Sequence, residues 1–284
     1  MAASITQKIG EILFTISQLG ITQFEKDFDH RMVHNFFDAH WEIPIGSVIA
    51  YLLFCYFGIK VMDSLQPFGL KYPLAAWNLF LSTFSFLGMF RTVPYLLGEL
   101  FTMNFRDTIC APAPETYGNG AVGLWVFLFI ISKIPELIDT VFIVLRKRDL
   151  IFLHWYHHVT VLLYCWHAYA VLAGSGLWFV AMNYSVHAIM YFYFMLQALK
   201  MVPKGFPAYL ITIAQIAQMF IGTGICIASW YYVYTTNNCS NDKNNLIAGA
   251  MMYGSYLYLF VEFAVRRFLV KTPKTGKAKP QKGE

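Results

Sequence analysis

Charge is scarce in this chain: only 13% of its 284 residues are Asp, Glu, Lys or Arg, about half the roughly 25% usual for a soluble globular protein. Residues of the Ala, Val, Ile, Leu, Met, Phe, Trp, Tyr and Cys set make up 57%, with 18% aromatic. A soluble core cannot absorb that much apolar side chain, so the composition points to an integral membrane protein with several spans. Other features are also missing. No soluble domain interrupts the apolar runs. Ten-residue segments of alternating polarity are absent, which excludes a membrane β-barrel. The first residues offer no basic stretch and no cleavage site, so they are not a signal peptide. The net charge of +5 is no sign of nucleic acid, because much of the excess sits in the last nineteen residues and in one Arg146-Lys147-Arg148 cluster, where it reads as a topology signal.

Apolar stretches near the ~20 residues that cross a bilayer fall at about 44–62, 74–99, 121–145, 150–171, 177–200, 207–234 and 246–270. Lipid leaves no water to satisfy exposed backbone, so all seven are predicted helices, and short connections such as 146–149 and 173–176 make successive helices antiparallel neighbours. The chain therefore divides into an amphipathic segment, 1–43, a seven-helix membrane domain, 44–270, and a basic tail, 271–284, expected to be disordered. Residues 1–43 carry three basic and six acidic side chains. With that end lumenal, fourteen basic residues in the loops, span ends and tail fall on the cytosolic side and five on the lumenal side, as the positive-inside rule requires, with Arg91 and Lys133 left inside spans, and the C-terminus is expected to be cytosolic. Cys55, Cys165 and Cys226 lie in spans, whereas Cys110 and Cys239 lie in the two longest loops, both lumenal. An oxidising lumen permits a Cys110–Cys239 disulfide.

Ionisable groups inside spans are costly and face a protein interior or a water-filled cavity. Lys133, Glu136 and Asp139 recur every three residues on the third span, within an arc of about 120°, next to Thr140. Pro135 between them removes a backbone donor. The fourth span holds His154, His157 and His158 within about one turn. The fifth presents Asn183, His187 and Tyr191 at four-residue spacing, and the sixth presents Gln215 and Gln218. Polar stripes on four consecutive helices cannot face lipid and so face one another. Any one of these residues alone reads as interhelical glue, and Lys133–Glu136 alone as a structural pair. Three histidines in five residues, opposed by Asn183 and His187, read as a site. His167, near a helix end, is expected at the interface, and His30, His34 and His40 are expected on the surface. Cys165, two turns beyond His158, reads as packing, or as a rival nucleophile.

In this order the motifs Lys133-x-x-Glu136-x-x-Asp139-Thr140, Phe152-Leu153-His154-x-x-His157-His158, Asn183-x-x-x-His187-x-x-Met190-Tyr191-x-Tyr193 and Gln215-x-x-Gln218 resemble those of the very-long-chain fatty acid elongases, the ELO family. The likeness covers about 70–270 and is densest at 132–194. Ala214 stands where the family usually has Thr, and Phe194 where it usually has Tyr. The run from Ile151 to Thr160 most resembles the branch acting on saturated and monounsaturated chains.

The resemblance implies an endoplasmic reticulum protein whose seven helices include six forming a barrel around an acyl tunnel open to the cytosol. It implies condensation of a long-chain acyl-CoA with malonyl-CoA to 3-ketoacyl-CoA, CO2 and CoA, with no metal or organic cofactor. His157 would be the nucleophile, forming an acyl-imidazole. His187 would stand opposite, His154 and His158 would orient or move protons, and Asn183 would donate a hydrogen bond. Lys133, Glu136 and Asp139, with Tyr191, Gln215 and Gln218, would tune the imidazoles or bind substrate. The antiparallel arrangement brings Trp230 and Tyr231, at the end of the sixth span, to the lumenal end of such a tunnel, where they would either close it or form an interfacial aromatic belt. Membrane lipid and the ketoacyl-CoA reductase, dehydratase and enoyl reductase of the cycle are the expected partners. A homodimer is allowed, and nucleic acid is not expected. The final KPQKGE does not match the dilysine retention signal usual in the family. A membrane di-iron desaturase or hydroxylase, which also uses an H-x-x-H-H box, is the competing enzyme reading. A non-catalytic seven-helix lipid carrier or receptor is the competing non-enzyme.

Overall fold

The computed structural model describes residues 2–236 and 238–269, so the basic tail expected at 271–284 lies outside the described residues. Regular structure among the described residues is helical throughout: α1 (Ala2–Ser17), α2 (Gln23–Lys26), α3 (Arg31–Ala39), α4 (Glu42–Asp63), α5 (Lys71–Thr102), α6 (Asp107–Cys110), α7 (Gly120–Ser132), α8 (Ile138–Leu145), α9 (Phe152–Ala170), α10 (Gly176–Leu199), α11 (Tyr209–Thr235) and α12 (Lys243–Ala264). Six stretches are long and apolar enough to cross a membrane: Glu42–Asp63, Lys71–Thr102, Gly120–Leu145, Gly176–Leu199, Tyr209–Thr235 and Lys243–Phe268. The remaining expected span, 150–171, is α9, a helix of 19 residues. Four histidines, 154, 157, 158 and 167, dilute its apolar character, and it packs among the others, against α3, α4, α7 and α12.

The tightest packing joins α5 to α10. Gly88 leaves room for the Tyr184 ring, which a Cβ there would strike, and Ser82 Oγ donates to the Ala188 carbonyl at 2.8 Å. Tyr184 is buried edge-on against Phe129 and donates to the Trp125 carbonyl at 2.8 Å, so α7 is fastened to the same pair. The third span is not one continuous α-helix. Pro135 has no N–H to donate, so α7 ends at Ser132, a 3-10 turn occupies Pro135–Leu137, and α8 resumes at Ile138.

The first 43 residues are bound into the bundle rather than lying loosely on it. Thr22 and Glu25 form a capping box that starts α2: the Thr22 N–H donates to Glu25 Oε2 at 2.7 Å, and the Glu25 N–H to Thr22 Oγ1 at 3.2 Å. Glu25 then receives Arg91 Nε of α5 at 3.0 Å and Trp125 Nε1 of α7 at 3.0 Å. Arg91 Nη1 also donates to the Leu19 carbonyl at 2.6 Å. The intramembrane Arg91 thus has its counter-charge in the N-terminal segment. His30 is buried, contrary to its expected place on the surface, with Nδ1 2.8 Å from Asn119 Oδ1. His34 Nε2 lies 2.8 Å from the Ala170 carbonyl, and Trp166 Nε1 donates to the Phe37 carbonyl at 2.8 Å. Only His40, paired with Glu42 at 2.6 Å, is exposed.

These contacts gather at the end of the bundle where α5 and α9 finish and α7 begins. At the same end a Cys110–Cys239 disulfide closes a sequence separation of 129 residues. The Ser240 N–H donates to the Cys110 carbonyl, and the Gly174 N–H to the Ser240 carbonyl, both at 2.8 Å. The bond therefore holds together the α6 turn, the α9–α10 loop and the approach to α12.

Glu25 carries a pH signature. Burial favours its protonated form, but the hydrogen bonds from Thr22, Trp125 and Arg91, with the Arg91 charge, hold its carboxyl down at about 2 instead of 4.5. With the folded value below the unfolded one, the stability it contributes is complete above pH 4.5 and is lost as pH falls through about 2. Glu25→Gln is expected to cost about 3 kcal/mol at pH 7, read as a lower thermal midpoint in detergent. The gap to the unaltered protein should narrow as pH drops below 4.5; a gap that stays constant would refute the assignment.

Candidate functional site

A cavity of about 420 Å³ opens between the first turns of α9, the second half of α10, the start of α11 and the end of α12. His154, His157 and His158 enter it from α9, His187 and Tyr191 from α10, Gln215 and Gln218 from α11, and Glu136 from the 3-10 turn. Periodicity explains this convergence, because residues three and four apart share a helix face. Four helical elements with matching polar stripes therefore enclose one space.

The predicted site residues divide by position. Lys133, Asp139 and Asn183 do not line the cavity but stand behind those that do. Lys133 Nζ donates to Glu136 Oε1 at 2.7 Å and lies 4.0 Å from the centre of the Phe129 ring. Ser132 Oγ donates to the same Glu136 oxygen at 2.8 Å. Asn183 Nδ2 donates to His187 Nε2 at 3.2 Å. Asp139 accepts from Tyr191 OH at 2.7 Å and from Trp77 Nε1 at 2.6 Å.

The α9 imidazoles have different surroundings. The His154 and His158 rings lie 4.5 Å apart between centres, tilted 57° to each other, and His157 is 5.4 Å from His158. His154 Nε2 is 2.9 Å from Thr140 Oγ1, which is itself 2.9 Å from Tyr51 OH of α4. His157 lies 5.1 Å from the Tyr256 ring of α12. The Tyr256 hydroxyl, held by Thr160 at 2.5 Å, reaches the His157 carbonyl at 3.2 Å. Glu136 Oε2, His158 Nδ1 and Asn183 Oδ1 are buried without a hydrogen-bond partner. A buried polar atom in that state is costly, so it marks a place where water or a ligand group is accommodated. Among the described residues no three His, Cys, Asp or Glu side chains are grouped to hold a metal ion.

Tyr51, Trp77, Ser132 and Tyr256 belong to this arrangement and escaped the sequence reading. A Tyr or Trp in an apolar run looks the same whether it faces lipid or a partner, so no signal was available for them. His167, near the end of α9, lies 2.8 Å from Asn245 Nδ2 in the first turn of α12. Trp230 and Tyr231 are 38% and 61% exposed and line neither cavity. Their place fits an interfacial belt.

A second, smaller cavity of about 50 Å³ lies at the opposite end of α7, α9 and α10, walled by Phe129, Cys165, Tyr169 and Val180 and bounded by Ala113, Tyr117 and Ala173. Cys165 therefore belongs to this apolar space and not to the histidine cavity.

A helical multi-pass membrane protein with four of its eight histidines gathered around one cavity is the class these observations define. The ELO: GNS1/SUR4 family model matches residues 36–276. The chain is 38% identical over 259 residues to very long chain fatty acid elongase 6 of Gallus gallus, covering 90% of this chain and 95% of that protein. It is 38% identical over 260 residues to very long chain fatty acid elongase 6 of Homo sapiens, covering 90% and 96%. Against very long chain fatty acid elongase 4 of Trypanosoma cruzi (strain CL Brener) it is 38% identical over 263 residues, covering 90% and 92%. The chain belongs to the ELO family.

The Lys133–Glu136 pair is almost fully enclosed, with side chains 2% and 4% exposed. Removing one partner strands the other charge, so Lys133→Met and Glu136→Gln are each expected to cost about 3–5 kcal/mol of stability. The double substitution should cost clearly less than the two losses together. Thermal unfolding of all four proteins measures this, and additive losses would show that the pair is not coupled.

Proposed function

We propose that this chain is the condensing enzyme of fatty acid elongation, joining a long-chain acyl-CoA to malonyl-CoA to give 3-ketoacyl-CoA, CO2 and CoA. The observation that carries this reading is the gathering of His154, His157, His158 and His187 around one cavity, in a chain 38% identical to proteins named very long chain fatty acid elongases. In this reading α9 is a seventh membrane helix, six of the seven surround an acyl tunnel, and the protein sits in the endoplasmic reticulum with its C-terminus cytosolic. It works alongside the reductases and dehydratase that complete the cycle.

The chemistry uses imidazole twice. A neutral His157 nitrogen attacks the acyl thioester, the C–S bond breaks, CoA leaves as a thiolate that takes up a proton, and the acyl group rests on His157. Malonyl-CoA then loses CO2. The resulting enolate carbon attacks the acyl carbonyl, and the His157 C–N bond breaks to restore imidazole. His187, oriented by Asn183, donates to the developing oxyanion. His154, held through Thr140, and His158 beside it move protons. Arg267, at the α12 edge of the cavity, offers charge to CoA phosphates.

Purified protein given acyl-CoA alone is expected to release CoA and gain the mass of the acyl chain. His157→Ala should do neither and should lose all condensation, while Cys165→Ala keeps both. Loss of acyl transfer in Cys165→Ala with retention in His157→Ala would overturn the assignment. Bound iron in active protein would favour the desaturase reading. Folded protein with no lipid chemistry would favour the carrier.

The acyl tail runs from His157 along α9 toward the small apolar cavity. Filling that space with Val180→Phe is expected to shorten the products by about one two-carbon cycle, because a closed apolar pocket discriminates by excluded volume. Trp230→Ala, on the exposed face, should leave the product profile unchanged. The reverse pattern would move the tunnel floor back to α11.

A further inference from the structure

Trp77 belongs to none of the motifs above and touches neither cavity, yet it makes one of the two hydrogen bonds on the Asp139 carboxylate. Its indole N–H donates to Oδ1 at 2.6 Å, and the Tyr191 hydroxyl donates to Oδ2 at 2.7 Å. Each oxygen is thus held from a different helix, Trp77 from α5 and Tyr191 from α10, so the carboxyl group cannot turn without breaking a hydrogen bond. Tyr191 stands one turn beyond His187, with its ring perpendicular to the imidazole, 89° between planes and 5.2 Å between centres. On its other side His187 is held by Asn183 at 3.2 Å.

We propose that Trp77 is a positioning residue: by fixing Asp139 it fixes Tyr191, and Tyr191 sets the ring of His187. This rests on the reading that His187 takes part in condensation. Neither Trp77 nor Asp139 touches substrate, so the clamp acts only on the geometry of a group that does. An aromatic ring in a lipid-spanning helix normally contributes area. Here the one polar atom of that ring is used, and its use separates Trp77 from the neighbouring Phe80, which it approaches at 5.7 Å.

Trp77→Phe keeps a ring and removes the N–H. In protein with acyl-CoA and malonyl-CoA, it is expected to lower kcat by about tenfold to a hundredfold, with KM and the thermal midpoint nearly unchanged. In a Tyr191→Phe background, where the clamp is already broken, adding Trp77→Phe should lower kcat by no more than about threefold further. An unchanged kcat in Trp77→Phe would overturn the proposal. So would a loss that multiplies in full in the Tyr191→Phe background, or one matched by a fall in thermal midpoint. If the unaltered protein makes no 3-ketoacyl-CoA, the condensation reading has failed, and modification of His187 by diethyl pyrocarbonate, mapped by peptide mass, decides the clamp separately. Trp77→Phe should then speed His187 modification severalfold, and equal rates would remove Trp77 from any role in holding it.

Discussion

A buried ion pair at the break in the third span organises the polar half of the molecule. Lys133 and Glu136 satisfy each other at 2.7 Å, where a single charge in lipid would be expelled or neutralised. Their position matters as much as their pairing, because Pro135 between them opens a 3-10 segment of three residues, Pro135–Leu137. A 3-10 turn advances about 120° per residue against about 100° for an α-helix, so three residues add roughly 60° of rotation. After that rotation Asp139 meets Trp77 and Tyr191, and Thr140 meets Tyr51 and His154. One proline and one ion pair thus connect four surrounding helices to the histidine cavity.

The opposite end is closed by different means. There the N-terminal helices lie across α5, α7 and α9, pinned by Glu25–Arg91, His34–Ala170 and Trp166–Phe37, while the disulfide ties the remaining loops together. Hydrogen bonds to backbone carbonyls dominate at this end. They are suited to a fixed cap, since a carbonyl at a helix terminus has no intrahelical donor and gains from any side chain that reaches it. At the histidine end side chains bond to side chains, and several buried atoms are left unpaired. Unpaired buried atoms occur at both ends: Glu99, Tyr169 and Ser229 at the cap, and Glu136, His158 and Asn183 around the cavity.

Much of this was legible in the sequence for one physical reason: lipid punishes polarity, so each polar residue in a span announces a partner. The stripes on four helices were read from spacing alone, and they meet. What stayed hidden was identity hidden by context. Trp77 and Tyr51 carry a polar atom on a side chain whose bulk is at home in lipid, so composition cannot show that the atom is used. Arg91 stood out as a charge in a span, but its partner Glu25 lies in a segment read only as amphipathic. The pairing spans 66 residues, and no periodicity connects them. The antiparallel arrangement brings Trp230 and Tyr231 to one end of the bundle but does not say which face of α11 they occupy, because a run apolar on nearly all sides has little moment to orient it.

The two cavities share three helical segments, small before large along α7–α8 and α10 and large before small along the antiparallel α9. On α7–α8 the small cavity reaches Ile130 and the large one begins at Glu136; on α10 the corresponding residues are Val180 and Val186. Six residues of helix separate them in each case, about 9 Å of rise. On α9 the interval runs from His158 to Tyr164. The layer between contains Lys133, Leu162 and Tyr184, all buried, so polar chemistry gives way to apolar packing within two turns. Such a boundary is what a ligand with one reactive end and one hydrocarbon end requires. The sequence builds it by placing histidines at the start of α9 and Cys165, Ala168 and Tyr169 toward its end, so that a single helix carries both environments.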